Sequence, residues 1–290
     1  MEYLVHILVL VSLYTTLTFS LDLIAGHCGL LSLAQAAFYG IGAYTSAIVA
    51  LAFGVPFPGA LAAAAGVAVL MSMAVSTPSV YLHDDYFAIV SFCFQMIVFS
   101  VLNNWLEVTR GPLGISGIPQ PVIFGRPVGQ LEFLALAAGL AVVSYLVVTR
   151  LTKGPFGRVL HAMREDDVFS QSLGKNTFYF KTVAFAVSAA LAAAAGSMYA
   201  HYISYIDPSN FTVTESILIL SMVIIGGAGS RLGPLLGAVT LVLIPELLRF
   251  AGFPPSIAGN LRQMTYGALL ILILVVRPRG LLGSYGFEAK

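Results

Sequence analysis

Residues 150–181 read RLTKGPFGRVLHAMREDDVFSQSLGKNTFYFK and carry six basic and three acidic side chains, whereas the sequence on either side is almost wholly apolar. Charged groups are costly in hydrocarbon, so an island of this kind belongs in water between two membrane-spanning blocks. The runs that flank it approach the ~20 residues a helix needs to cross a bilayer. Only 9% of the 290 residues are charged and 58% are hydrophobic, with a mean hydropathy of +0.92; soluble domains carry roughly 25% charged residues. Too few polar groups exist to cover a water-facing surface. The expected fold is all-α, a polytopic helical membrane protein with a single transmembrane domain over residues 1–290.

Charge placement orients the chain. Residues 1–109 contain no Lys or Arg, and basic residues in short loops favour the cytoplasm. The segment 151–180 and the tail at Arg277 and Arg279 are therefore placed inside. Counting apolar runs gives about nine spans, some of them broken or re-entrant, with the amino terminus outside and the carboxyl terminus inside. The first run, residues 3–21, lacks the basic flank of a secretory signal and reads as a retained span. Cys28 and Cys93 lie in different apolar segments and read as small core residues rather than a disulfide. The mixed charge of the island gives no support for nucleic acid, and membrane lipid is the surrounding partner.

Two stretches break the helical pattern. Gly26, His27, Cys28 and Gly29 interrupt the first apolar block, and residues 30–52 resume as a helix. On it Ser32, Gln35, Tyr39 and Tyr44 are candidate pathway or gate residues, while Gly40 and Gly42 allow another helix to approach closely. The second stretch is GGAGSRLGPLLGA at 226–238, where Gly226, Gly227, Gly229 and Pro234 mark a conformational break, and Pro245 is expected to kink the helix beyond it. A faint likeness between residues 29–32 and 227–230 suits paired broken helices that meet at a central pathway. Gln95 reads as a helix-to-helix hydrogen-bonding residue, and Glu246 as interfacial. His83, Asp84 and Asp85 form a polar bend, the Gly- and Pro-rich residues 110–130 an outer loop or lid, residues 253–255 an outer turn and residues 261–276 the last crossing.

No catalytic or metal site is expected. His6, His27, His83, His161 and His201 show no recognised ligand spacing, and the adjacent Glu165, Asp166 and Asp167 point around a helix rather than converge. No Walker motif is present through which the chain could itself bind ATP. Within the island, residues 156–163 can form a short helix with Phe156, Val159, Leu160 and Met163 on one surface, leaving Arg158 and Arg164 available to acids. Such a helix is marginal alone in water and needs another protein or the membrane bundle to pack against. A self-contained cytoplasmic loop fits the same residues.

Four segments in order along the chain carry a family resemblance: GLLSLAQAAFYGIGAY at 29–44, GPLGISGIP at 111–119, GRVLHAMREDDVFSQSLGKN at 157–176 and MVIIGGAGSRLGPLLGA at 222–238, extended by Pro245 and Glu246. Together they resemble the permease subunits of bacterial branched-chain amino acid ABC importers and the related urea and amide importer permeases. The resemblance implies a cytoplasmic coupling segment in which Gly157, Arg158, Arg164, Glu165 and Gly174 engage a groove of a separate ATPase. Phe169 and Ser170 depart from the small pair such a segment would carry. It further implies that this chain is no enzyme and binds no cofactor, with ATP and Mg held by the partner. The implied assembly is heterodimeric: a second homologous permease subunit, two ATPase subunits and an extracytoplasmic solute-binding protein, at the bacterial inner membrane. Branched-chain amino acids are the implied substrates, with urea or a short amide as the alternative. An ion-coupled secondary transporter or a structural membrane assembly protein would account for the hydropathy alone.

Overall fold

The computed structural model describes residues 2–78, 84–123 and 126–250, together with residues 264, 266–268, 270–272, 275, 277 and 280–282. The first helix, α1 (Glu2–Asp22), does not end where its apolar run meets Asp22. It continues as a π-helical turn, Leu23–Cys28, and stops at Gly29, whose φ of +77° is open to glycine at little cost. Residues 29–34 are not helical, so the helix expected from residue 30 begins only at α2 (Gln35–Phe53). Then follow α3 (Phe57–Ser76), α4 (Asp84–Asn104), the single turn α5 (Leu106–Thr109) and α6 (Gln130–Lys153).

The polar island folds as two short helices, α7 (Pro155–Glu165) and α8 (Asp167–Ser172). The long α9 (Thr177–Ile203) returns across the membrane, and α10 (Val213–Gly226) and α11 (Gly233–Phe250) flank the second break. α11 is helical across Pro245. Among the described residues, six helices are long and apolar enough to cross a bilayer: α1 with its π turn, α2, α3, α4, α6 and α9. α10 has 14 residues, about 21 Å at the helical rise, less than the ~30 Å of hydrocarbon. His83, the turn at 253–255 and half of the last expected crossing, 261–276, lie outside the described residues.

Small residues decide which helices touch. In lipid no hydrophobic force drives helices together, so close backbone packing takes over. α9 carries Ala189, Ala192, Ala193, Ala195 and Ala200, all fully buried, and packs between α2 and α3. A side chain at Gly42 of α2 would overlap the Ala193 backbone, and one at Gly196 of α9 would overlap the Tyr39 carbonyl. α3 presents Ala60, Ala64, Ala68 and Ser72 inward at four-residue steps, while Leu70, Met71 and Met73 face out. α1 contacts α6, α9, α10 and α11. Cys28 is buried as expected, but Cys93 is exposed; it sits on the face of α4 opposite the buried Phe87, Ser91 and Gln95.

The Gly- and Pro-rich loop is packed down rather than free. Its strand β1 (Ile115–Ser116) pairs antiparallel with β4 (Tyr205–Ile206), just past α9, and a second pair, β2 (Val122–Ile123) with β3 (Arg126–Pro127), follows it. Ile115 and Ile118 are buried, and the ring of His201 lies 2.7 Å from the Pro119 carbonyl. These pairings lie at the carboxyl end of α9, while α7 and α8 adjoin its amino end.

Because an added methyl at Gly42 meets α9 backbone, Gly42→Ala should destabilise the protein by about 1–3 kcal/mol. Gly66→Ala in the interior of α3, where nothing lies within 4 Å, should not destabilise and should gain up to about 1 kcal/mol of helix propensity. Thermal unfolding of both variants in detergent checks the contrast, and equal effects would contradict the packing described.

Candidate functional site

The two breaks meet each other and the arm formed by α7 and α8. Gly26, in the π turn of α1, lies against the backbone of Gly229, so closely that a side chain at Gly26 would overlap it. The Gly229 N–H donates to Asp22 Oδ1 at 2.8 Å. The Thr18 hydroxyl, one turn earlier on α1, donates to the Pro234 carbonyl at 3.1 Å. From the arm, Arg164 donates to the Gly26 carbonyl, and its stem lies beneath Gly29, where an added Cβ would stand 2.7 Å from Cγ. The His161 ring of α7 meets that of His27 at 3.3 Å, and His27 Nε2 is 3.6 Å from Asp22. Burial, then the neighbouring Arg164 charge, pushes the His161 imidazole below its ordinary pKa against a smaller opposing pull from Glu165. The ring is therefore largely neutral at pH 7. A cleft of about 250 Å³ opens beside these groups, lined by Asp22, His27, Lys153, His161 and Arg231 among others.

The arm is a rigid bracket. Gly157 is buried at the start of α7, where a side chain would overlap the Thr152 backbone at the end of α6. Its place is an internal corner between two helices. Leu160 and Met163 are buried, as the one-sided pattern predicted, and Phe156 packs on Phe180 at 5.1 Å between ring centres. Asp166 caps α8 by accepting from the Phe169 N–H at 2.8 Å. Asp167 pairs with the buried Lys181 at 3.0 Å, and Asn176 caps α9. The three adjacent acids thus divide between a cap, an ion pair and the exposed Glu165. Ser170 is buried and donates to the Asp166 carbonyl. Val168, Phe169 and Leu173 remain 60–70% exposed, and Arg158 and Gly174 are exposed as well. Gly174 has φ +75° and nothing within 4 Å.

Farther out, side chains satisfy the backbone freed by the first break. Leu33 N–H donates to Ser91 Oγ at 2.9 Å, Ala34 N–H to Ser32 Oγ at 3.3 Å and Ala36 N–H to Ser216 Oγ at 2.9 Å. Ser216 in turn donates to Gln95 Oε1 at 3.2 Å, and Gln95 Nε2 to the Phe211 carbonyl at 2.8 Å. Gln95 is a helix-to-helix hydrogen-bonding residue, as its sequence position suggested. Gln35 donates to Ser20, and its Oε1 is buried without a partner, as is the Tyr44 hydroxyl. Tyr39 stacks among Tyr199 and Phe211, with ring centres 5.5 and 5.1 Å away. Near the middle of α1, Tyr14 donates to Glu215 Oε1 at 2.6 Å.

Ser32 in the first break and Gln35, Tyr39 and Tyr44 of α2 are therefore all buried. Gly226, Gly227 and Gly229 lie at the second break, with Pro234 opening α11. Arg164 is not held out to acids on another molecule, because the Gly26 carbonyl in the π turn beyond α1 draws it inward. The histidines' sequence spacing also concealed that His27 and His161 touch. Sequence reading missed Asp22, Tyr14 and Glu215. The available signal was a lone acid in each of two apolar runs. Among the described residues no group of three or more His, Cys, Asp or Glu side chains is arranged to hold a metal ion.

A bundle of membrane-crossing helices with paired breaks and a folded inner arm defines a multi-pass membrane protein of the permease class. A family model described as the permease component of the branched-chain amino acid transport system matches residues 3–274. The high-affinity branched-chain amino acid transport system permease protein LivM of Escherichia coli is 35% identical, over 96% of this chain and 69% of its own. The probable branched-chain amino acid transport permease protein LivM of Methanocaldococcus jannaschii is 31% identical over 71% of this chain and 62% of its own. The high-affinity branched-chain amino acid transport system permease protein LivH of Salmonella typhimurium is 26% identical over 94% and 92%. No solved structure matches the chain. The chain belongs to the branched-chain amino acid transport system permease family.

Replacing Arg164 by Met should free the Gly26 carbonyl and cost about 1.5–3 kcal/mol, the worth of a hydrogen bond to a charged group. Amide hydrogen exchange across residues 23–34 should accelerate while α3 keeps its protection. Unchanged exchange in that stretch would show that the break is held by other groups.

Proposed function

We propose that this chain is one membrane subunit of an ATP-driven importer that carries leucine, isoleucine and valine across a bacterial inner membrane. The observation that carries the reading is the arm of α7 and α8: a soluble element anchored to the broken part of α1 that leaves Val168, Phe169 and Leu173 uncovered. Exposed apolar side chains clustered on a small soluble element mark an interaction surface. The occupant is a separate ATPase subunit, which holds ATP and Mg, while this chain binds neither. Arg158, Glu165 and Gly174 border the docking surface, Gly157 sets the corner that presents it, and Arg164 passes its movement to Gly26.

The assembly pairs this chain with a second, homologous permease subunit, serves the pair with two ATPase subunits and receives solute from an extracytoplasmic binding protein. Similarity to both LivM and LivH, two differently named permease proteins of systems with the same description, supports that pairing. When the ATPase subunits close, the arm pulls on the π turn of α1, and through Asp22 and Gly229 the second break moves with it. Ser32, Gln35, Tyr39 and Tyr44 line the route or its gate, and Gly226, Gly227, Gly229 and Pro234 let the inner side rearrange. No substrate bond is made or broken; nucleotide and solute each bias one conformational equilibrium.

Glu165→Lys combined with Gly174→Leu alters only exposed positions of the arm. Leucine uptake in the native host should fall at least about tenfold, with unchanged abundance of this protein and less co-purifying ATPase. Urea uptake measured in parallel separates the amide alternative: loss of urea uptake with leucine uptake intact would replace the proposed substrate. Full uptake and full ATPase association would remove the docking assignment.

A further inference from the structure

Two cations line the cleft beside the two breaks: Lys153, the last residue of α6, and Arg231, in the second break. Both are exposed, and among the described residues neither takes part in an ion pair. Asp22 is the one acid in the lining. It is buried in the wall, where it accepts from the Gly229 N–H and has His27 beside it. What the cleft presents to its surroundings is therefore positive charge. α11 opens at Gly233, two residues beyond Arg231, and the amino end of a helix adds positive potential there. The volume of about 250 Å³ is several times the roughly 30 Å³ of a water and accommodates a phosphate with its ester oxygens.

The lining changes character with depth. α6 has 24 residues, about 36 Å at the helical rise, so its last residue stands at the level of the lipid headgroups that bound ~30 Å of hydrocarbon. Thr149 and Thr152 line the cleft within about one turn of Lys153. Val148 lies about 7 Å deeper along α6, and Phe19 about 4–5 Å deeper than Asp22 along α1. Cations outermost, hydroxyls next and apolar groups deepest is the order of phosphate, glycerol ester and acyl chain in a phospholipid. α6 is also the most membrane-facing of the six apolar helices: 22% of its apolar stretch is buried, against 67% for α9. Its Val142, Val143 and Leu146 are exposed. A basic pocket between helix ends suits an anionic headgroup.

We propose that this cleft binds an anionic phospholipid, with the phosphate between Lys153 and Arg231 and the start of an acyl chain against Val148 and Phe19. Lys153 stands two residues before α7, and Arg231 lies between the end of α10 and the start of α11. One phosphate therefore ties the corner of the arm to the second break. Like charges brought into one cleft from two elements repel, and an anion between them replaces the repulsion with two attractions. A zwitterionic headgroup carries its own ammonium and neutralises less of that charge. An acid of a partner chain would complement the cations but would make no use of the apolar floor.

The full chain in phosphatidylcholine nanodiscs, with and without added phosphatidylglycerol, is measured by native mass spectrometry for retained lipid and by amide hydrogen exchange. Wild type should retain phosphatidylglycerol at least about tenfold over phosphatidylcholine, and exchange across residues 227–233 should slow when it is bound. Lys153→Gln with Arg231→Gln should abolish the preference. Arg150→Gln with Lys175→Gln removes the same charge from exposed positions outside the cleft and should leave the preference within about threefold of wild type. In the wild-type protein, which needs no variant to fold, phosphatidylglycerol should protect Lys153 but not Lys175 from an amine-acylating reagent. Equal loss of preference in the two double variants would show general surface attraction and overturn the site, as would labelling of Lys153 that phosphatidylglycerol leaves unchanged. Unchanged exchange at 227–233 on binding would overturn the tie between arm and break. Release of the lipid by inorganic phosphate would assign the cleft to a free anion. Binding only in the absence of co-purifying subunits would assign it to an acid of a partner, and either result would overturn the lipid.

Discussion

Unpaired backbone inside hydrocarbon is the constraint around which this fold is arranged. A continuous helix satisfies itself, but a break at membrane depth frees N–H and C=O groups that lipid cannot solvate. Here the freed groups after α1 are met one at a time by side chains from other elements: Ser91 from α4, Ser216 from α10 and Arg164 from the arm. The second break is met by Asp22 and Thr18 of α1. Each break is thus completed by residues outside its own helix. Neither can change shape without changing its partners.

That reciprocity gives the arm mechanical purchase. A cytoplasmic helix that touched only helical backbone could shift without consequence, since helical hydrogen bonds are internal. Arg164 instead reaches a carbonyl in the π turn, where the helical ladder is already out of register and ends at Gly29. The same turn carries Gly26 against Gly229. Force applied to the arm therefore falls on the least self-sufficient part of the bundle. Meanwhile the core of α2, α3 and α9, packed through Ala and Gly, offers little freedom to rearrange. Rigid packing and the yielding breaks occupy different parts of one molecule.

Much of this could be seen in the sequence, and what could not shares one cause. The crossings, the inward face of α7 and the breaks near Gly29 and Gly227 follow from local composition and from residues only a few positions apart. The span count is less clear-cut, because α10 is too short to cross alone and looks from composition like any other apolar run. Arg158 and Arg164 illustrate the limit: both read as exposed cations on one short helix, yet Arg158 is exposed and Arg164 enters the bundle. The difference lies in Gly26 and Gly29, remote in sequence. Cys93 appeared to belong to the core because its neighbours are apolar, but apolar neighbours in a membrane do not say which face meets lipid. Glu215 was passed over for the same reason, since its partner Tyr14 is in the first helix and no periodicity links them.

The inner end of α10 is finished by the last part of the chain. Its terminal carbonyls, those of Ile225 and Gly226, accept from the backbone N–H groups of Leu281 and Leu282 at 2.9 and 3.0 Å. During synthesis the short helix must therefore wait, with its end open, until those residues have left the ribosome. That end of α10 thus closes only once the chain has been made as far as Leu282. A nascent chain halted before Leu281 would already hold α1 to α11, around an end of α10 that has not yet closed.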